Sequence, residues 1–168
     1  MAHIERLDNG VIDADRDLYI LECDSFADIF PAATTLPGDH FVTLLIANFA
    51  LTTVDDLVSL SSHLIAAGSR YFCAWGPECK KAHLAFDLAC CEFEAGNDSV
   101  ILTTDHADES LDDAIWFALN CAVPAEPFDR DWRAIISICV NHKPAGQSVR
   151  RAFADPVEFS KNNGPEVD

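Results

Sequence analysis

Positive charge is what this 168-residue sequence has least of: 11 Lys and Arg stand against 28 Asp and Glu, a formal net charge of −17. Such a surface repels the backbone of nucleic acids and anionic membranes, so neither is expected as a direct partner. Long apolar runs are also missing. No stretch reaches the about 18 apolar residues that would span a bilayer. The opening MAHIERLDNG has none of the apolar core a secretory signal needs, so no signal peptide is expected. Glycine is sparse, at 7 residues, and none is arranged as a phosphate loop. The turn after the first clear strand reads Ala47-Asn48-Phe49-Ala50-Leu51-Thr52, which argues against a dinucleotide fingerprint.

The 7 cysteines contain no Cys-x-x-Cys pair. Cys79 and His83 offer two ligands at helical spacing, with His106 or His142 as a third, but no second close-spaced His pair completes a zinc set. No metal and no cofactor is expected. An odd thiol count in a chain too large to need disulfide staples predicts reduced cysteines and a cytoplasmic location. Cys73, Cys90, Cys121 and Cys139 sit inside apolar runs, where Cys acts as a small hydrophobe.

Against these absences stands one strong rhythm. Residues 1–40 are weakly patterned, with a possible edge strand at Asp17–Cys23 and a helical turn near Phe26–Pro31. The pattern sharpens over 41–142, the expected core domain. Phe41–Ala47 is a nearly continuous apolar run rich in branched residues, as a strand covered on both faces requires. Thr52 or Thr53 caps a helix opening with Asp55 and Asp56, acids that suit the helix dipole, and Gly68 ends it. Arg70–Trp75 is a second strand, and Gly76-Pro77 opens the next helix with proline in its first turn. Gly96-Asn97 stops that helix. Ser99–Thr104 is a third strand, Asp108 or a neighbour caps a third helix, and Trp132–Val140 is a fourth strand. The remainder, 143–168, reads as an extension with a brief helix at Val149–Phe153 and a disordered tail from Ser160. Strand–helix alternation of this kind predicts a three-layer α/β domain, Rossmann-like or flavodoxin-like. Its sheet is mostly parallel, with about four to five strands and helices on both faces.

In open α/β sheets ligands lie outside the carboxyl ends of the strands. Those ends supply the candidate residues. Asn48, Trp75, Thr104 and His142 are candidates for ligand binding. Cys79, His83, Asp105 and His106 are candidates for catalysis. A thiol in the first turn of a helix feels the positive dipole end, which favours thiolate. His83, four residues on, shares its face and could act as its base, with Asp105 or His106 completing the set. The alternative is that Cys79 and His83 simply pack beside Ala82, Phe86 and Cys90. Capping accounts for the segment from Asp108 onward but not for Asp105 and His106. Lys80 and Lys81, cations at a helix start, either hold an anion or are solvated.

The segments W-G-P-E-C-K-K-A-H and D-H-A-D-E-S-L-D-D-A-I-W resemble the most distinctive stretches of a small uncharacterised bacterial α/β domain family. The resemblance spans Phe41 to Val140. It implies a compact domain marked by Trp75, Gly76, Pro77, Cys79, His83 and Trp116, and it carries no activity. Two functions follow as expectations. The first is an acidic binding, regulatory or immunity-type accessory protein that contacts a protein partner with a basic surface. The second is a small hydrolase or transferase using Cys79, His83, Asp105 and His106.

Overall fold

A computed structural model of the protein describes residues 1–7, 16–36, 39–94 and 99–165. Among the described residues six strands form one sheet: β1 (Ala2–Leu7), β2 (Asp17–Cys23), β3 (His40–Ile46), β4 (Ser69–Trp75), β5 (Leu102–Asp105) and β6 (Trp132–Val140). The helices are α1 (Ile29–Ala33), α2 (Val54–Ala67), α3 (Cys79–Glu94), α4 (Leu111–Asn120), α5 (Lys143–Ala154) and α6 (Pro156–Asn163). The strand order is β1-β2-β6-β3-β4-β5, and every pairing is parallel except β1 with β2. The fold is the three-layer α/β arrangement the alternation predicts, with a strand more than expected.

Side chains alternate across the sheet with the strand period of two. From β3, Phe41 and Leu45 join one core with α1, α2 and α3. Val42, Leu44 and Ile46 join the other with α4 and α5. This division follows from crossover handedness. The chain steps from β2 through β3 and β4 to β5 in one direction, so right-handed crossovers put their helices on one face. It then returns from β5 to β6, between β2 and β3, and the reversal moves α4 to the opposite face.

Several expectations for the chain ends are corrected. Asp17–Cys23 is not an edge strand: it is paired on both sides, by β1 and by β6. β1 takes the edge, and its half-exposed AHIERL leaves little period to read. The third strand runs Leu102–Asp105 rather than Ser99–Thr104, because the Ile101 N–H is taken by the Glu94 carboxylate instead of a strand partner. The brief helix at Val149–Phe153 is the second half of α5, which starts at Lys143 and buries Val149, Ala152 and Phe153 in the core. The tail expected to be disordered from Ser160 is helical as far as Asn163, as the end of α6, which is capped by the Asp155 side chain and tied to α4 through Trp116 Nε1, which donates to the Ser160 carbonyl. Gly96-Asn97 and the last residues of the tail lie outside the described residues. Among the described residues no helix is long and apolar enough to cross a membrane.

Candidate functional site

β4 leads into α3 on one face of the sheet, and β5 leads into α4 on the other. Their carboxyl-end loops therefore diverge, and a crevice opens between them as at any topological switch point. The structure has a cleft of about 490 Å³ there. Residues 75–80 form one wall, and Ala107 and Glu109 stand opposite.

The wall is built by its backbone. Gly76 sits at φ +120, and a Cβ there would overlap the Ala47 carbonyl oxygen, so the β4 end presses directly on the β3 end. Ala47 N–H donates to the Trp75 carbonyl at 3.2 Å and Phe49 N–H to that of Pro77 at 3.0 Å. Glu78 follows at φ 62, a left-handed conformation uncommon for a residue with a long side chain. Pro77 thus lies in a turn before the helix and not in its first turn: α3 begins at Cys79. On the opposite wall Ser110 caps α4 through a capping box with Asp113, so the chain from Ala107 to Glu109 is free to line the cleft. Thr53 is the cap of α2.

Trp75 is half-buried, and its indole Nε1 donates to the Glu109 carbonyl at 3.0 Å, which ties the walls together. Beneath them lies His106, 3% exposed. Its Nδ1 donates to the Glu109 carboxylate at 2.7 Å, the Thr104 hydroxyl lies 3.3 Å from Nε2, and Phe117 packs on the ring. His106 is a buttress for Glu109. Lys80 leans toward Asp108, with Nζ 3.9 Å from its carboxylate.

The proposed nucleophile and base are not brought together. Cys79 is 1% exposed, and burial pushes its thiol up, outweighing the backbone N–H of His106 that favours thiolate. This reverses the expectation from the helix dipole: desolvation of the charged form wins over a partial charge at the helix end. His83 turns toward β5 instead. Its Nδ1 is 2.7 Å from the Asp105 carboxylate and its Nε2 is 3.4 Å from that of Asp87. Thr103 Oγ1 donates to the same Asp87 side chain. His83, Asp87, Thr103 and Asp105 form a polar seam that fastens α3 to the edge strand.

The other candidates serve the backbone. Asn48 accepts from Ala50 N–H and shapes its own turn. His142 caps α5, its Nδ1 accepting from Ala145 N–H, while its ring meets Trp75 edge-on at 6.2 Å. Lys81 donates to the Ala50 carbonyl rather than to an anion. All seven cysteines are free thiols, and Cys121, expected in the core, is exposed at the end of α4. Among the described residues no group of three or more His, Cys, Asp or Glu could hold a metal ion. Glu109 was legible only as a helix-start acid, and nothing in the sequence marks the φ that turns Glu78 into the cleft wall.

The chain belongs to the DUF7684 family, described as a domain of unknown function, whose model matches residues 19–156. That span runs from β2 to the first residue of α6. No curated protein and no solved structure matches the chain.

Proposed function

We propose that this protein acts by binding a protein partner with a basic surface, and that the cleft between β4 and β5 receives one of that partner's cationic side chains. The observation that carries this reading is Glu78, exposed on the cleft wall at φ 62. A left-handed residue with a Cβ costs about 1–2 kcal/mol, and such strain collects where a side chain must be aimed. Glu78 shares the cleft with the Trp75 indole and with Glu109, whose carboxylate also accepts from His106 Nδ1; an aromatic ring and two carboxylates suit a guanidinium or ammonium group. Lys80, the cation on the same wall, is drawn toward Asp108. The excess of 28 acidic over 11 basic residues steers a basic partner in. Within this reading the protein is a cytoplasmic accessory or immunity-type protein of bacteria, and its seven free thiols suit a reducing compartment.

The probe is N-acetyl-arginine amide, with N-acetyl-glutamine amide as the neutral control. The Trp75 indole N–H resonance should move with the arginine compound and not with the control. The response should be lost in the Glu78→Gln, Glu109→Gln double variant. Equal shifts from the neutral amide would sink the reading.

A Cys/His-dependent hydrolase or transferase is the second reading. The 2.7 Å His83–Asp105 pair favours it, since a carboxylate on one ring nitrogen is how a catalytic histidine is oriented. Against it, the other ring nitrogen faces Asp87 and the thiol is buried with a raised pKa.

A further inference from the structure

A second concave surface lies on the same edge of the sheet, over the ends of β2 and β3. The short helix α1 has five residues and packs beside α2, whose Leu57 and Leu60 are themselves buried. Between them runs a groove of about 240 Å³. Phe26 and Phe30 form one wall, Leu57 and Leu60 the floor, and Asp56 and Ser59 the rim. Both phenylalanines are half-exposed. Thr52 also lines the groove, and the residue before it, Leu51, is 100% exposed. Leu51 is held in that position by a turn: Thr52 N–H donates to the Phe49 carbonyl, and the flanking Ala50 is bonded through its N–H to Asn48 and through its carbonyl to Lys81. An apolar side chain displayed beside an apolar groove gains only when something covers both.

The charges decide the occupant. No Lys or Arg lines the groove itself, and Lys81, the cation beside Leu51, is engaged with the Ala50 carbonyl; Asp56 lines the groove, and Asp55 beside it is exposed. A second copy of the chain would bring another net charge of −17 against this acidic mouth, which opposes self-association. A groove between two helices accepts a helix by its i, i+3, i+4, i+7 apolar face. We propose that this groove, together with Leu51, docks a basic amphipathic helix of a protein partner, its apolar face against Phe26 and Phe30 and its cations over Asp55 and Asp56. The site is separate from the cleft at β4 and β5 and stands whether or not that cleft binds a cationic side chain.

The test uses a synthetic leucine–lysine peptide with helical spacing of its leucines, a permuted peptide of identical composition, and an analogue with Glu in place of Lys. Backbone amide shifts of the full chain are followed at about 0.15 M salt, where surface attraction is screened beyond about 8 Å. The patterned peptide should perturb Leu51, Thr52 and Ser59 and leave the Trp75 indole in place. Leu51→Ser should weaken binding about tenfold, as losing a buried leucine contact does. Because Leu51 is fully exposed in the free protein, its replacement should leave the unfolding curve unchanged. The proposal is overturned if the permuted or acidic peptide binds equally, if the shifts lie elsewhere or are absent, or if Leu51→Ser has no effect. Sedimentation of the protein alone as a dimer that Leu51→Ser dissociates would assign the groove to a second copy and also overturn it.

Discussion

Replacing Gly76 with alanine tests the architecture on which the cleft depends. Gly76 lies at φ +120, and the added Cβ would fall well inside the 3.0 Å that real Cβ atoms keep, against the Ala47 backbone oxygen. Two contributions add. A left-handed conformation costs an L-residue about 1–2 kcal/mol. The overlap is with backbone rather than a flexible side chain, so relief means parting the ends of β3 and β4. That strains the Ala47–Trp75 and Phe49–Pro77 hydrogen bonds, each contributing about 1 kcal/mol. The sum is about 3 kcal/mol, a large share of the 5–15 kcal/mol that stabilises a typical domain. Urea unfolding followed by circular dichroism should show a lower midpoint with an unchanged slope. Gly164→Ala is the comparison: its φ of −67 is one alanine adopts, and a Cβ there meets the Ser160 carbonyl oxygen at 3.1 Å and Trp116 Nε1 at 3.3 Å, contacts that shifts of a few tenths of an ångström relieve, so it should cost clearly less than Gly76→Ala. A Gly76→Ala protein within about 1 kcal/mol of the parent would refute the claim that this close approach shapes the wall.

Two further outcomes follow. In the native protein iodoacetamide should label the exposed Cys91 and Cys121 first, and Cys79 only at the slow rate of the core thiols Cys73, Cys90 and Cys139; peptide mapping reads the order, and labelling of Cys79 alongside Cys91 would revive the nucleophile reading. The Arg150 guanidinium, 2.6 Å from Glu22 and 3.3 Å from Glu5, holds the Glu22 carboxyl below its ordinary value of 4.5. A depressed folded pKa stabilises above that value, and the contribution fades as pH falls through the folded one. Arg150→Met should therefore be less stable than the parent by about 1 kcal/mol at pH 7, and urea melts repeated at pH 3 should show the gap narrowing; a constant gap would mean that the arginine acts by packing alone.

The cleft arises where loops leave the sheet toward opposite faces, and the groove where the half-exposed rings of Phe26 and Phe30 stand beside α2. How far such a site can be read in advance depends on how local its causes are. The run Phe41–Ile46 and the run Trp132–Val140 announce buried parallel strands because no other element needs so many branched residues in a row. The acids after Thr53 and Ser110 announce helix starts because a cap and a dipole act within one turn. Trp75 was legible as a strand end because Gly76-Pro77 directly after it breaks the run, while the left-handed φ of Glu78 left no local mark.

What the sequence alone determined is the layering, a mostly parallel sheet with helices on both faces, and the acidic composition. What only the tertiary structure decided is which residues of the carboxyl edge meet. Cys79 and His83 share a helix face by spacing, yet β5 draws the histidine to Asp105 and Asp87 while burial closes over the thiol. Strand order, the reversal that sets α4 across from α3, and the pairing that moves Asp17–Cys23 from edge to interior all rest on contacts between residues far apart in the chain. Local propensity carries no record of those contacts, because their free energy exists only once the sheet has assembled.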